Sequence, residues 1–293
     1  MPRLSPSQQG IAALLLVTAV WGTTFPAMKA LSAHFDAMQL IFLRFAIAGA
    51  VLAPCAIDMR RTEWRWGLAL GFVLFIAFTL QIEGLVRTSA NRNAFVSSLN
   101  VLLVPILGWA LGQRPAWNVW AACGLAVLGV RCLFWSDAPW NWGDTLTLAS
   151  TVFYASYLQM ISWMQAKNTA LAPRALRLAA VQAWVMLVLG AAMLLASGRD
   201  LGVASAQYLP SDALWMLIYL GTAASIGCIA LQAWGQRYVA ATPSAVIYGT
   251  EPLFAATAGL YLLGERFTFW GYVGAALLVA ALILSQMEFK KHA

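Results

Sequence analysis

The sequence predicts an all-α membrane protein of ten transmembrane helices, built as two five-helix inverted repeats. Three observations predict it. Hydrophobic residues make up 61% of the 293 and charged residues only 10%, too little polar surface to coat a water-soluble globule. Apolar windows of roughly 20 residues, the length that crosses a bilayer as helix, recur along the whole chain. They number five in each half, and an odd number obliges the second half to start on the opposite side of the membrane, a frequent transporter construction.

In chain order the windows lie near 11–31, 37–57, 67–86, 94–112 and 117–134, then near 144–163, 176–196, 212–234, 243–263 and 268–286. The halves are residues 1–136 and 137–293. Met1 to Gln9 precede a first apolar run that is long and is broken by Lys29, so it reads as an uncleaved first helix and not a signal peptide. The stretch from Phe78 to Pro115 is a helical hairpin: apolar to Val86, polar from Arg87 to Asn93, apolar again to Leu111. Gln81, Glu83, Ser97, Ser98 and Asn100 sit inside it, and Pro105 interrupts its returning helix; polar groups and a kink at membrane depth usually line something. The ninth window carries Pro252, as the fourth carries Pro105, and each closes on a similar turn, Gly112-Gln113-Arg114 and Gly264-Glu265-Arg266.

The net charge of +7 forms no basic run, so it implies no nucleic-acid partner. With both termini in the cytoplasm, inner loops hold Arg3, Arg60, Arg61, Arg65, Arg114, Lys167, Arg174, Arg177, Arg237, Lys290 and Lys291. Outer ones keep Arg87, Arg92, Arg131, Arg199 and Arg266. That asymmetry sets the orientation of a multi-pass protein in a bacterial-type inner membrane, with the lipid bilayer as its first partner. Cys55, Cys123, Cys132 and Cys228 have no paired spacing, so neither a disulfide nor a metal site is expected.

Candidate site residues are the polar and aromatic groups near mid-span. Trp21 and Thr24 precede Pro26, whose missing N–H permits a kink. Phe72, Phe75, Phe78 and Gln81 recur every third residue along one drifting face. Tyr154 and Tyr157 share a face of the sixth helix, where a hydroxyl in hydrocarbon needs a partner. Asn100, Gln232 and Tyr248 complete the set, each also readable as an interhelical hydrogen bonder. Trp117, Trp135, Trp140, Trp142, Trp163, Trp215 and Trp270 fall near span ends, as interfacial belts do. Gly67 with Gly71 and Gly108 with Gly112 are small pairs suited to close helix crossings. Arg44 and Glu83 read as a structural ion pair. Glu251 lies nine residues into the ninth window, roughly 13 Å deep at about 1.5 Å per residue. It has no evident partner there, so it reads either as a neutral hydrogen bonder or as a counter-ion or proton-coupling site.

The ordered segments Trp21-Gly22-Thr23-Thr24-Phe25-Pro26, Arg44-Phe45 with Ala48, Phe78 to Gln81, Thr88-Ser89-Ala90, Val101 to Pro105 with Arg114-Pro115, and Glu251-Pro252-Leu253-Phe254-Ala255 leading to Gly264-Glu265-Arg266 resemble the EamA family of the drug/metabolite transporter superfamily. The resemblance covers nearly the whole chain and implies a ten-helix inverted-repeat fold around a central cavity. Within that superfamily it is most similar to bacterial exporters of aromatic and other neutral amino acids. Gln113 stands where the second half has Glu265, so the two halves do not offer a symmetric carboxylate.

The resulting expectation is an exporter of neutral and aromatic amino acids or similar small metabolites, working by alternating access. It calls for no catalysis and no cofactor, since no phosphate loop, catalytic triad or metal cluster is present. An efflux carrier for toxic organic cations, with Glu251 as counter-ion, is the first alternative; a membrane-embedded enzyme or receptor is the second. Monomer and homo-oligomer both remain open.

Overall fold

A computed structural model describes residues 5–56, 59–133, 139–167, 174–263 and 269–286. The expectations placed on Arg3, Trp135, Gly264, Glu265, Arg266, Lys290 and Lys291 lie outside the described residues. Among the described residues all regular structure is helical. The first half comprises α1 (Pro6–Leu31), α2 (Ala37–Val51) with a 3-10 turn at Ala53–Ala56, α3 (Arg61–Arg87), α4 (Ala90–Ser97), α5 (Asn100–Ala110) and α6 (Trp117–Leu133). The second comprises α7 (Trp142–Lys167), α8 (Ala175–Ala196), the short α9 (Val203–Ala206), α10 (Ser211–Gly221), a π-helical stretch at Thr222–Gly227, α11 (Cys228–Gly235), α12 (Ala241–Tyr248), α13 (Glu251–Leu263) and α14 (Phe269–Gln286).

Five stretches are long and apolar enough to cross a membrane, namely Pro6–Leu31, Arg61–Arg87, Arg92–Ala110, Ala175–Ala196 and Ser211–Gly235. Shorter apolar helices cover Ala37–Val51, Trp117–Cys132 and Phe269–Ser285. Helix α7 is as long as α1 but is not among the five, because it carries Asp144, Thr147, Ser150, Thr151 and Gln159 on its buried side.

Helix starts follow from local chemistry. Ser5 and Asp36 each accept a bond from the backbone N–H three residues on, and Gln8 and Gln39 return the bond, closing capping boxes on α1 and α2. Ser89 caps α4 through the Arg92 N–H.

The interruption in the fourth window falls at Ser98-Leu99, where backbone bonds tighten to three-residue spacing (Val101 N to Ser98 O, 3.1 Å), and not at Pro105. Pro105 instead leaves the Val101 carbonyl without its helical donor. The Cys123 thiol takes that place at 3.0 Å. The ninth window breaks at Gly249-Thr250. Pro252 is therefore not a mid-helix kink but the second residue of α13, where a missing N–H costs nothing.

Glycines set the crossings. A side chain at Gly67 or Gly71 would strike Val181 or Val185 of α8. Gly84 and Gly143 bring α3 against α7, and Gly22 brings α1 against Phe254 and Ala255 of α13. Gly108 and Gly112 do not form the expected pair: Gly108 faces the Gln113 and Gln159 side chains, and Gly112 lies past the end of α5 with φ +84°. The main core runs through Leu14, Phe25, Ile41, Phe45, Leu74, Leu158 and Ile229, with a smaller one around Val101, Val130 and Leu278 where α6 meets α14. Trp117, Trp140, Trp142, Trp163, Trp215 and Trp270 are exposed near helix ends.

Candidate functional site

Helices α1, α2, α3, α4, α5, α7 and α13 line a partly open cavity, with a volume of about 40 Å³ available to the centres of water-sized molecules. Helix α1 supplies Trp21, Thr24, Phe25 and Met28, which follow the i, i+3, i+4, i+7 pattern of one helical face. Helix α3 adds Ala77, Phe78 and Gln81, and α7 adds Ser150, Thr151 and Tyr154 by the same logic. Arg44 enters from α2, while Ser97, Asn100 and Glu251 come from the interrupted helices. Asn100 is the first residue of α5 and Glu251 the first of α13, so each break delivers a polar side chain to the cavity at a helix N-terminus. Glu251 is thus not deep in a continuous helix.

The walls are held by hydrogen bonds and ring contacts. Gln81 Nε2 donates to Ser97 Oγ at 3.1 Å. Trp21 Nε1 donates to the Ala224 carbonyl at 2.9 Å, and its ring meets Tyr154 edge-on at 5.9 Å between centroids. The Tyr154 hydroxyl accepts from Gln232 Nε2 at 2.8 Å.

Of the residues singled out in the sequence, the structure brings Trp21, Thr24, Phe78, Gln81, Asn100, Tyr154 and Glu251 together around this one cavity. It leaves Tyr157 and Tyr248 behind the wall. Tyr157 is fully buried and donates to Gln182 Oε1 at 2.8 Å, while Tyr248 packs against Trp21 and Tyr154. Phe72 has rotated off the drifting stripe and is exposed. Pro26 lies within α1, one turn past Gly22, whose carbonyl it leaves without a helical donor. Phe25, Met28, Ala77 and Thr151 were not anticipated, although helical spacing from Trp21, Phe78 and Tyr154 points to them.

The expected Arg44–Glu83 ion pair is not formed. Glu83 pairs with Arg87 one turn along α3. Arg44 turns instead to α1 and the π-helical stretch: its Nε donates to Ser225 Oγ at 2.5 Å and its Nη2 to Ala224 O at 3.2 Å. The reason is reach and supply, since Arg87 lies next to Glu83 on the same face and the π stretch offers Arg44 oxygens at its own depth. Among the described residues, no ion pair includes Glu251.

The chain is 27% identical over 277 residues to an uncharacterized transporter of Archaeoglobus fulgidus, covering 94% of this chain and 85% of that protein. A second uncharacterized transporter of the same organism is 24% identical over 288 residues, covering 95% and 97%. A solved crystal structure shares the fold at TM-score 0.69 and 16% identity, over 97% of each chain. The model of the EamA-like transporter family matches this sequence twice, over residues 8–135 and again over 141–287. The chain therefore belongs to the EamA-like transporter family and is a multi-pass membrane transporter.

Proposed function

We propose that this transporter exports neutral amino acids, aromatic ones among them, from the cytoplasm by alternating access between two five-helix halves of inverted topology. One observation carries the substrate reading. Glu251 presents a carboxylate without an ion-pair partner among the described residues to a cavity walled by Trp21, Phe78 and Tyr154. An ammonium group has its counter-ion there, and an aromatic or aliphatic side chain has apolar rings to cover it. Two features support the two-half reading: the doubled family match, and the break that interrupts each match at Ser98-Leu99 and at Gly249-Thr250. The cationic loops support cytoplasmic termini in an inner membrane.

Efflux of organic cations is the second reading that the same carboxylate favours. Liposomes containing only this protein separate the two. Labelled phenylalanine should move down its gradient and a quaternary ammonium compound should fail to compete; the reverse pattern replaces amino acids with cations. An imposed pH gradient then assigns Glu251. If Glu251 couples protons, the gradient accelerates wild-type flux and leaves Glu251→Gln, which keeps size and hydrogen bonding, indifferent. A wild type insensitive to the gradient removes proton coupling and leaves a facilitator.

A further inference from the structure

Arg44 is 2% exposed and lines the same cavity as Glu251. Every group the structure places on its guanidinium is neutral: Ser225 Oγ, the Ala224 carbonyl, the Met28 thioether at 3.7 Å, and the rings of Phe45 and Phe78 at 5.5 and 5.0 Å. The ion pairs among the described residues are Arg87–Glu83, Arg92–Asp144, Arg177–Glu63 and Arg199–Asp36, and none involves Arg44. A guanidinium carries five N–H donors in a fixed plane. Two of Arg44's meet oxygen and one meets the weak sulfur acceptor, which leaves two to face other groups. A buried cation compensated only by dipoles and ring faces is costly, and a carboxylate arriving in the cavity supplies what is missing. The positioning is built in: the π-helical stretch presents Ala224 and Ser225, and the Ser225 hydroxyl is itself tied to Leu220 O at 2.7 Å.

We propose that Arg44 is the residue that selects for a carboxylate on the substrate. Together with Glu251 it gives the cavity two poles, so that it takes zwitterions and rejects ligands bearing positive charge alone. The proposal rests on the amino-acid reading above and adds the residue that discriminates against amines. A cation bound at Glu251 without a carboxylate of its own leaves Arg44 uncompensated in the same low-dielectric space, where like charges repel strongly.

Four compounds of nearly one shape test it in proteoliposomes, each labelled and followed as flux and each also used as a competitor of phenylalanine: phenylalanine, phenethylamine, phenylalaninamide and 3-phenylpropionate. In the wild type, phenylalanine should exceed phenethylamine and phenylalaninamide by a factor on the order of tenfold to a hundredfold. Arg44→Gln should erase that preference, Arg44→Lys should restore part of it, and Glu251→Gln should keep inhibition by 3-phenylpropionate that Arg44→Gln loses. A purely structural Arg44 lowers flux of every compound by one factor and leaves the ratios intact, which overturns the proposal. So does a wild type that carries phenethylamine as well as phenylalanine, a comparison that needs no variant to fold. Wild-type protein that moves none of the four overturns the amino-acid reading itself, and Arg44 selection with it.

Discussion

Lys29 and Gln165 occupy the same place on two different helices, each two residues before the end, of α1 and of α7, and each ties that end to a backbone carbonyl of another helix. Lys29 Nζ donates to the carbonyls of Leu85, Val86 and Thr88 at 3.0, 3.2 and 2.8 Å. Gln165 Nε2 reaches one, that of Ala233, at 3.1 Å. Leu85 and Ala233 are themselves two residues before the ends of α3 and α11. One tie is thus an ammonium on three acceptors, and the other is a neutral amide on one. Near the second, Gln236 is buried with neither amide atom partnered among the described residues.

The unequal ties imply unequal opening. Lys29→Met removes a charge-assisted clamp between α1 and α3, so the cavity should open more often at that end. In a background lacking the native cysteines, a thiol at Ser97→Cys should react with an impermeant reagent faster by a factor on the order of ten when Lys29 is replaced. Equal rates with and without Lys29 would show that the contact does not hold the end shut.

Asp144 is fully buried and accepts from Arg92 Nε at 2.8 Å, from Thr88 Oγ1 at 3.3 Å and from the Asn141 N–H at 2.8 Å. Five residues before Arg92, Arg87 pairs with Glu83 largely in the open. Asp144→Ala removes a buried charge pair together with the bonds from Thr88 and Asn141, so it should cost about 3 kcal/mol. Arg87→Ala should cost about 0.5 kcal/mol. Thermal unfolding in detergent, followed by tryptophan fluorescence, checks the contrast; similar losses would mean that Asp144 is not the stronger anchor.

Two helix glycines should respond in opposite directions to alanine. At Gly84 a Cβ would lie 2.3 Å from Thr147 Oγ1 and 2.7 Å from the Gly143 carbonyl, and a backbone oxygen cannot step aside. Gly84→Ala should therefore push α3 off α7 at about 1–3 kcal/mol. At Gly124 in α6 nothing lies within 4 Å, and Gly124→Ala should be neutral or stabilise by up to about 1 kcal/mol through helix propensity. The same unfolding assay decides it, and a destabilised Gly124→Ala would point to a close neighbour of α6.

Much of the cavity wall was legible because polarity at membrane depth is rare and helical spacing is regular. Trp21, Phe78, Gln81 and Tyr154 announce themselves by type and position. What the sequence did not reveal is register. The break at Ser98-Leu99 has no proline or glycine at the break itself, and Pro105, the visible disruptor, instead frees a carbonyl for Cys123. Tyr157 and Tyr248 share composition with Tyr154 but face away, because which side of a helix meets a cavity depends on the neighbours packed against it. The Arg44–Glu83 pairing failed for a related reason: equal depth in a membrane does not put two side chains on facing surfaces, and Glu83 had a nearer cation in Arg87.

The π-helical stretch at Thr222–Gly227 puts the Ala224 carbonyl where both Trp21 and Arg44 donate to it. A widened turn is a matter of residue count, one more residue than an α-helical turn would use. The placement of the cavity's cation thus depends on an integer in the length of a helix that lines none of the cavity itself. Substitutions along that helix can drift while the count holds. A single-residue deletion there would return the backbone to even winding, rotate everything beyond it by about 100°, and withdraw the acceptor from Arg44 without altering any residue that faces the cavity.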